Sequence, residues 1–177
     1  APGRGTPLLL MAHLDSVAAG AGAGDDISGV ATILETVRAL KARGLPRQRP
    51  IRVLVTDGEE NGLLGALAYL RDPAARPGVV VNMEARGNRG PSYLFQTSPG
   101  DAPLVNLYAK SVSHVAASSL YAEIYKVLPN DTDLTPFLRA GIAGYNFAFI
   151  GNGAQYHTPQ DRRENLDRAS LQHHGEN

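Results

Sequence analysis

The ionisable side chains of this chain fall into a few short clusters whose make-up suits a divalent cation. His13-Leu14-Asp15 closes one apolar run, Asp57-Gly58-Glu59-Glu60 follows a second, Met83-Glu84 ends a third, and Tyr156-His157-Thr158 follows the last. Asp25-Asp26 stands directly before a stretch of apolar periodicity that begins at Ile27, where free backbone N–H groups and the helix dipole favour carboxylate. The chain has no cysteine, which excludes disulfides, thiolate ligands and a thiol nucleophile, so a metal would be held by His, Asp and Glu alone. Two imidazoles and several carboxylates converging on one rim suit Zn²⁺. A pair of metals about 3.5–4 Å apart, sharing one carboxylate, needs roughly this inventory. Singly, each feature has a plain structural reading: His13 as a core histidine, Asp25-Asp26 as an N-cap, Glu59-Glu60 as an acidic first helical turn. Those readings do not explain why the strand ends along one edge each carry an acid or an imidazole.

The elements that must position these groups are legible as short periodic runs. Leu8–His13, Ile51–Thr56, Val79–Met83, Ser92–Thr97, Leu120–Val127 and Ile142–Ile150 predict six strands. Val30, Ile33, Leu34, Val37 and Leu40 predict a helix over Ile27–Arg43, stopped by Gly44 with Pro46 behind it. Shorter helices are predicted over Leu63–Arg71, Ala102–His114 and Thr135–Ala140, and Leu166–Asn177 begins like another. Strands alternating with helices imply an α/β fold, a mostly parallel mixed sheet sandwiched between helices. Sheets of that kind build their sites at the C-terminal strand ends.

The 177 residues hold no repeat or low-complexity tract and read as one domain, 1–177. Seventeen basic residues balance seventeen acidic ones, which argues against a sequence-independent grip on nucleic acid. No apolar run approaches the roughly 18 residues a bilayer requires. The opening Ala1-Pro2-Gly3-Arg4-Gly5 reads as a loop and not a signal peptide, and His173-His174-Gly175-Glu176-Asn177 ends without completing an apolar face. Both ends read as those of a catalytic core cut from a longer protein, so membrane association would come only through segments outside this chain.

In order and approximate spacing, four motifs resemble the co-catalytic zinc aminopeptidases of the M28 type, over nearly the whole chain. They are His13-x-Asp15-Ser16, Gly24-Asp25-Asp26-x-Ser28-Gly29, Glu59-Glu60-x-Gly62-Leu63-x-Gly65 and His157-Thr158-x-x-Asp161. Asn82-Met83-Glu84-Ala85-Arg86-Gly87 and Asn130-Asp131-Thr132-Asp133 are similar to the branch whose members are often membrane-anchored. That likeness implies an extracytoplasmic or membrane-anchored location for the full-length protein and a peptide substrate. It also implies a zinc exopeptidase fold (phosphorylase/hydrolase-like) with the six strands in the order 2-1-6-3-5-4 and strand 2 exposed at an edge, where relatives carry two further strands.

The resemblance further implies two zinc ions per chain, one bound by His13, Asp25 and Glu84 and the other by Asp25, Glu60 and His157, with Asp25 bridging. Glu59 would be the general base, and Asp15 the acceptor that fixes the His13 tautomer, as metal-bound histidines usually require. The peptide bond after the bridging Asp, here Asp25–Asp26, is often cis in relatives. Arg86, Thr132 and Asp133 are candidate substrate contacts, and a guanidinium at Arg86 would favour short or acidic peptides. Some relatives place a Tyr before a Ser-Asp pair to help hold the oxyanion. Here Pro129 stands at that offset and Thr132-Asp133 replaces the pair, so the resemblance assigns no oxyanion donor.

The chemistry is coherent on its own terms. Zn²⁺ lowers the pKa of bound water to about 7, and a carboxylate beside a ligand but not itself bound can take that water's proton. Glu59 and Glu60, neighbours at a strand-to-helix turn, can divide those roles. Two other functions fit the same residues: single-zinc acyl transfer of the glutaminyl-cyclase type, and a non-catalytic peptidase-like interaction domain. His114 reads as a surface residue, adjacent His173 and His174 do not share a helix face, and the Gly20–Gly24 stretch meets acids where a dinucleotide site needs a third glycine.

Overall fold

The computed structural model describes residues 5–44 and 49–177; the residues before Gly5, and Pro46 with its neighbours, lie outside them, and with them the readings of a leading loop and a proline stop. Among the described residues five strands form one sheet: β1 (Leu8–His13), β2 (Ile51–Thr56), β3 (Val79–Ala85), β4 (Arg89–Thr97) and β5 (Ala143–Gly151). Their order is β2-β1-β3-β5-β4, parallel except for β4, which runs antiparallel to β5. β1 alternates Leu9 and Met11 towards one core and Leu10 and Ala12 towards the other, and all four are buried. A strand covered on both faces is what a parallel sheet between helical layers produces.

Helices α1 (Ile27–Arg43), α3 (Ala102–Ser111) and α6 (Arg168–Glu176) lie on the face where Leu10, Ile33, Met83, Leu94, Tyr108 and Phe147 pack together. Helices α2 (Leu64–Tyr69) and α5 (Leu134–Arg139) cover the other, around Leu9, Met11, Ala66, Val80, Leu134 and Phe137. The bounds of α1 match the spacing argument: Asp26 caps it, its carboxylate accepting from Gly29 N at 3.1 Å, and Gly44 at φ 61° closes it. A residue without Cβ takes that left-handed turn at little cost. β2 sits at an edge as expected, with Val53 and Val55 each 40% exposed.

Two expectations are corrected. Leu120–Val127 is not a strand but lies within helix α4 (Ser119–Val127), capped by Ser118. Its residues satisfy both periods, a common ambiguity in short apolar runs. As a helix it turns Tyr121 and Tyr125 onto Tyr93 and Phe95 of β4, with ring centroids 4.7 and 4.9 Å apart, and leaves Leu120 and Val127 exposed.

The strand order also differs. The run at Ile142–Ile150, seen as β5, lies between β3 and β4 and not between β1 and β3, which pair directly from Leu8↔Val79 to Met11↔Asn82. The chain leaving β3 keeps pairing with β5, through Arg86 N to Phe149 O and Asn88 N to Gly151 O, both 3.0 Å, and then crosses over it to return as β4. Only glycine permits that crossing: a Cβ on Gly87 would lie 2.1 Å from Gly151 O.

Candidate metal centre and cleft

Four of the five predicted metal ligands sit at or beyond the C-terminal end of a strand, and the fifth lies in the loop that leads from β1 to α1. His13 is the last residue of β1, Glu84 the penultimate residue of β3, Glu60 follows β2, His157 follows β5, and Asp25 lies in the loop before α1. His13, Asp25 and Glu84 form one group of potential donors, and Asp25, Glu60 and His157 a second; within each, the donor atoms all lie within 4.8 Å of one another. Asp25 belongs to both. Its Oδ1 is 3.3 Å from His13 Nε2, and its Oδ2 is 3.1 Å from His157 Nε2. Glu84 Oε2 stands 3.7 Å from His13 Nε2, and Glu60 Oε1 stands 2.9 Å from His157 Nε2. The Asp25–Asp26 peptide bond is cis.

The residues behind these groups hold them through backbone contacts. The carbonyl oxygen of Asp15, at 2.9 Å, faces His13 Nδ1, while the Asp15 carboxylate is 3.6 Å away. The expected link to His13 is therefore made by the main chain of Asp15. Its carboxylate does something else, accepting from Glu59 N and Glu60 N at 3.1 Å each and so bracing the turn that carries both glutamates. Asp161, buried, accepts from Gly24 N at 2.6 Å and Asp25 N at 3.1 Å. Gly24 explains itself here, since a Cβ would meet Gly87 O at 2.6 Å and Asp161 Oδ1 at 2.8 Å. Asn82 donates to Glu84 Oε1 at 3.0 Å and to Asn146 Oδ1, and Asn146 donates to Thr132 Oγ1 at 2.8 Å.

Asn146 belongs to no motif, and Asn82 stands in the sequence only as the first letter of one. The available signal was polar residues inside otherwise apolar strands, which require buried partners. Asp161 was visible only as the last letter of a motif.

The electrostatics fit a cation. Asp25, Asp26, Glu59, Glu60 and Glu84 surround two imidazoles. Burial pushes Asp26, Glu60 and Glu84 up and Glu59 up to about 9, with neighbouring carboxylates adding to each. Asp25 is also pushed up by burial, but hydrogen bonding with His13 and His157 outweighs this and holds it below its ordinary value. For His13 burial favours the neutral ring, yet Asp25 and Glu84 raise it far above its ordinary value. His157 is raised chiefly by its bond to Asp25. So many carboxylates in a poorly solvated site need positive charge beyond two imidazoles, and hard oxygen donors with two imidazole nitrogens suit a divalent transition metal.

The site opens into a cleft of about 920 Å³ bordered by Glu59, Glu60, Glu84 and His157 at its polar end and by Leu63, Leu67, Phe95, Tyr121, Tyr125 and Ile150 elsewhere. Of the candidate substrate contacts, Arg86 and Thr132 border the cleft and Asp133 does not; it is fully buried and bonded to Thr56 Oγ1. The Arg86 guanidinium lies 5.6 Å over the Tyr156 ring, which stacks on His157 at 3.7 Å. His114 is exposed and lies 3.4 Å from Glu176. His174 is buried against Ser92 and Phe149, and His173 accepts from Ser92 N.

A parallel-rich α/β sheet carries at its C-terminal rim two carboxylate–imidazole groups that share one aspartate and could hold metal at a solvent-open cleft. The model of peptidase family M28 matches residues 1–177, and the chain belongs to that family. It is 33% identical over 180 residues to endoplasmic reticulum metallopeptidase 1 of Mus musculus, covering 99% of this chain and 20% of the relative. It is 35% identical over 170 residues to a vacuolar membrane protease of Aspergillus clavatus, covering 94% of this chain and 17% of that protein. The chain thus spans about a fifth of the length of these curated relatives. A zinc aminopeptidase from Bacillus subtilis superposes with a TM-score of 0.75 at 26% identity, over 99% of this chain and 44% of the other. No helix among the described residues is long and apolar enough to cross a membrane.

Proposed function

We propose that this chain is a single catalytic unit of a di-zinc exopeptidase that hydrolyses N-terminal residues from peptides. The observation that carries the proposal is Asp25, whose two oxygens face two different histidine–carboxylate groups. His13, Asp25 and Glu84 would hold one zinc, and Asp25, Glu60 and His157 the other. Bound zinc would supply a water nucleophile at neutral pH and an electrophile for the scissile carbonyl.

The remaining work falls to the protein's own groups. Glu59 borders the cleft beside Glu60 without belonging to either donor group; the positive charge of bound zinc would offset the burial and neighbouring carboxylates that raise it, so that its carboxylate takes the proton of the attacking water and returns it to the departing amine nitrogen. The Asp15 carboxylate keeps the Glu59-Glu60 turn in place. The concentrated negative charge favours a substrate with a free, protonated N-terminus. Arg86, exposed at the cleft and making no ion pair among the described residues, is suited to a substrate carboxylate and so to short peptides. Thr132 is a second candidate contact.

Two complete donor groups argue against a single-zinc acyltransferase, and the presence of Glu59 argues against a non-catalytic module. The relatives named for endoplasmic reticulum and vacuolar membrane support an extracytoplasmic or membrane-anchored setting for the longer protein. Metal analysis combined with aminoacyl-anilide hydrolysis, with and without a chelator, tests the reading. Two zinc ions per chain and chelator-sensitive release of the N-terminal residue are expected. One zinc with acyl transfer, or no turnover with zinc bound, would overturn it.

A further inference from the structure

We propose that Asn130 carries an N-linked oligosaccharide that screens the mouth of the cleft against long peptides; this rests on the peptidase and extracytoplasmic readings above. Of the nine asparagines in the sequence, only Asn130 opens an Asn-x-Ser or Asn-x-Thr triplet, Asn130-Asp131-Thr132, with no proline at its centre. Such a triplet is the acceptor for oligosaccharide transfer and belongs in a surface loop. Whether the fold can carry the sugar depends on where it leaves the asparagine.

Folding leaves Asn130 outside. It lies in the loop of residues 128–133 that joins α4 to α5, between Pro129 and Asp131, both exposed. Asp131 anchors the loop on α5, its carboxylate accepting from Thr135 Oγ1 at 3.1 Å and from Arg139 Nη2 at 3.2 Å. Thr132 turns inwards and is buried, its Oγ1 accepting from Asn146 Nδ2 at 2.8 Å. The Asn130 side chain is only partly buried and makes no hydrogen bond among the described residues, and its amide reaches solvent. By contrast, the buried side chains of Asn82, Asn88 and Asn146 are all bonded, as buried amides must be. At Asn130 a sugar displaces no internal partner.

Transfer is made on the extended chain before folding, when the Thr132 hydroxyl is still accessible. The donor is an oligosaccharide carried on a lipid diphosphate. The Asn130 amide nitrogen bonds to the anomeric carbon of the sugar and gives up one proton. The sugar–phosphate bond breaks, and its electron pair leaves with the lipid diphosphate. The product is a neutral amide with a bulky, hydrophilic substituent. Asn130 borders the same cleft as Glu59, Glu60 and His157, so that substituent stands over the mouth of the site. It competes for space with a chain that runs out past the rim, whereas a short peptide lies within the cleft. Arg86, on the same cleft, favours short substrates through their carboxylate.

The test produces the full-length protein in the secretory route of a eukaryotic cell, as wild type, Asn130→Gln and Leu34→Asn. The last substitution sets an acceptor triplet ahead of Thr36 on α1, at a position 59% exposed, as a control for extracytoplasmic exposure. Enzymatic release of N-glycans in heavy-oxygen water, followed by peptide mass spectrometry, reads occupancy at each position. Wild type should carry a glycan at Asn130 that Asn130→Gln lacks, with zinc per chain unchanged. The ratio kcat/KM is compared on a dipeptide and on a long peptide with the same N-terminal residues. Asn130→Gln should gain severalfold on the long peptide and nothing on the dipeptide. The proposal is overturned if Asn130 is bare, or if it is occupied and the preference between the two substrates is the same in both proteins. A bare Asn130 with the control position occupied removes this inference alone; both bare removes the extracytoplasmic reading with it. An occupied Asn130 on a zinc-loaded protein without turnover removes the peptidase reading and the screening role together.

Discussion

His174 should make the fold acid-sensitive by an amount that can be worked out. The ring is fully buried, with Nδ1 2.7 Å from Ser92 Oγ, Nε2 without a partner, and the Phe149 ring 5.3 Å away. Burial, with His173 adding to it, pushes its pKa down to about 3. In the unfolded chain it titrates near 6.5. The folded value is the lower one, so the neutral ring is favoured by folding. Its stabilising contribution is complete above about pH 6.5 and is lost as pH falls towards 3. At about 1.36 kcal/mol per pH unit, the loss is about 1.4 kcal/mol at pH 5.5 and about 2.7 kcal/mol at pH 4.5.

His174→Phe fills the ring space and leaves Ser92 Oγ bonded to Asn177 Nδ2 at 2.8 Å, so it should remove this dependence. Urea unfolding of both proteins from pH 4.5 to 7.5, in chelator to keep the metal centre equal, gives the difference directly. Wild type should lose about 2.7 kcal/mol more than the variant between pH 7.5 and 4.5. Parallel curves would mean that His174 is solvated or charged in the fold, and the burial argument would fail.

Other perturbations separate the roles within the centre. Glu59→Gln should keep both zinc ions and nearly the same KM while kcat falls by about 10²–10⁴, whereas Glu60→Gln should lower zinc per chain; the reverse pattern in metal analysis would exchange the two roles. Asp161→Ala removes the acceptor of Gly24 N and Asp25 N. Zinc affinity by competition with a chromogenic chelator should fall about 10–100-fold, and an unchanged affinity would mean that Asp25 needs no such support. Gly87→Ala drives a methyl to 2.1 Å from Gly151 O, with the Gly151 and Ile150 carbonyl carbons at 2.9 and 3.0 Å. It should cost about 2–3 kcal/mol of stability, read as a lower denaturant midpoint, and an unchanged midpoint would refute the tight crossing.

The sequence by itself determined the parts governed by local spacing. The bounds of α1 are legible because amphipathic period, Asp cap and Gly stop all lie within one helix length. The candidate donors His13, Glu60, Glu84 and His157 are legible as a group because a residue type at or after a strand end needs only the strand to be recognised, while their division into two sets with Asp25 shared came from the likeness to the family. What only the tertiary structure decided depends on partners distant along the chain. Asp161 and Asp25 N are 136 residues apart, and no local pattern announces their bond. The likeness to the family gave Asp15 one role, towards His13; that its carboxylate accepts from Glu59 N and Glu60 N depends on a turn 44 and 45 residues further along the chain. The run at Leu120–Val127 carries both periods, so it became a helix when packing against Tyr93 and Phe95 chose the face, and with that choice Tyr121 and Tyr125 came to line the cleft. The place of β5 between β3 and β4 was settled by two glycines, Gly87 and Gly151, that let one backbone cross another, a contact that the spacing of neither residue reveals.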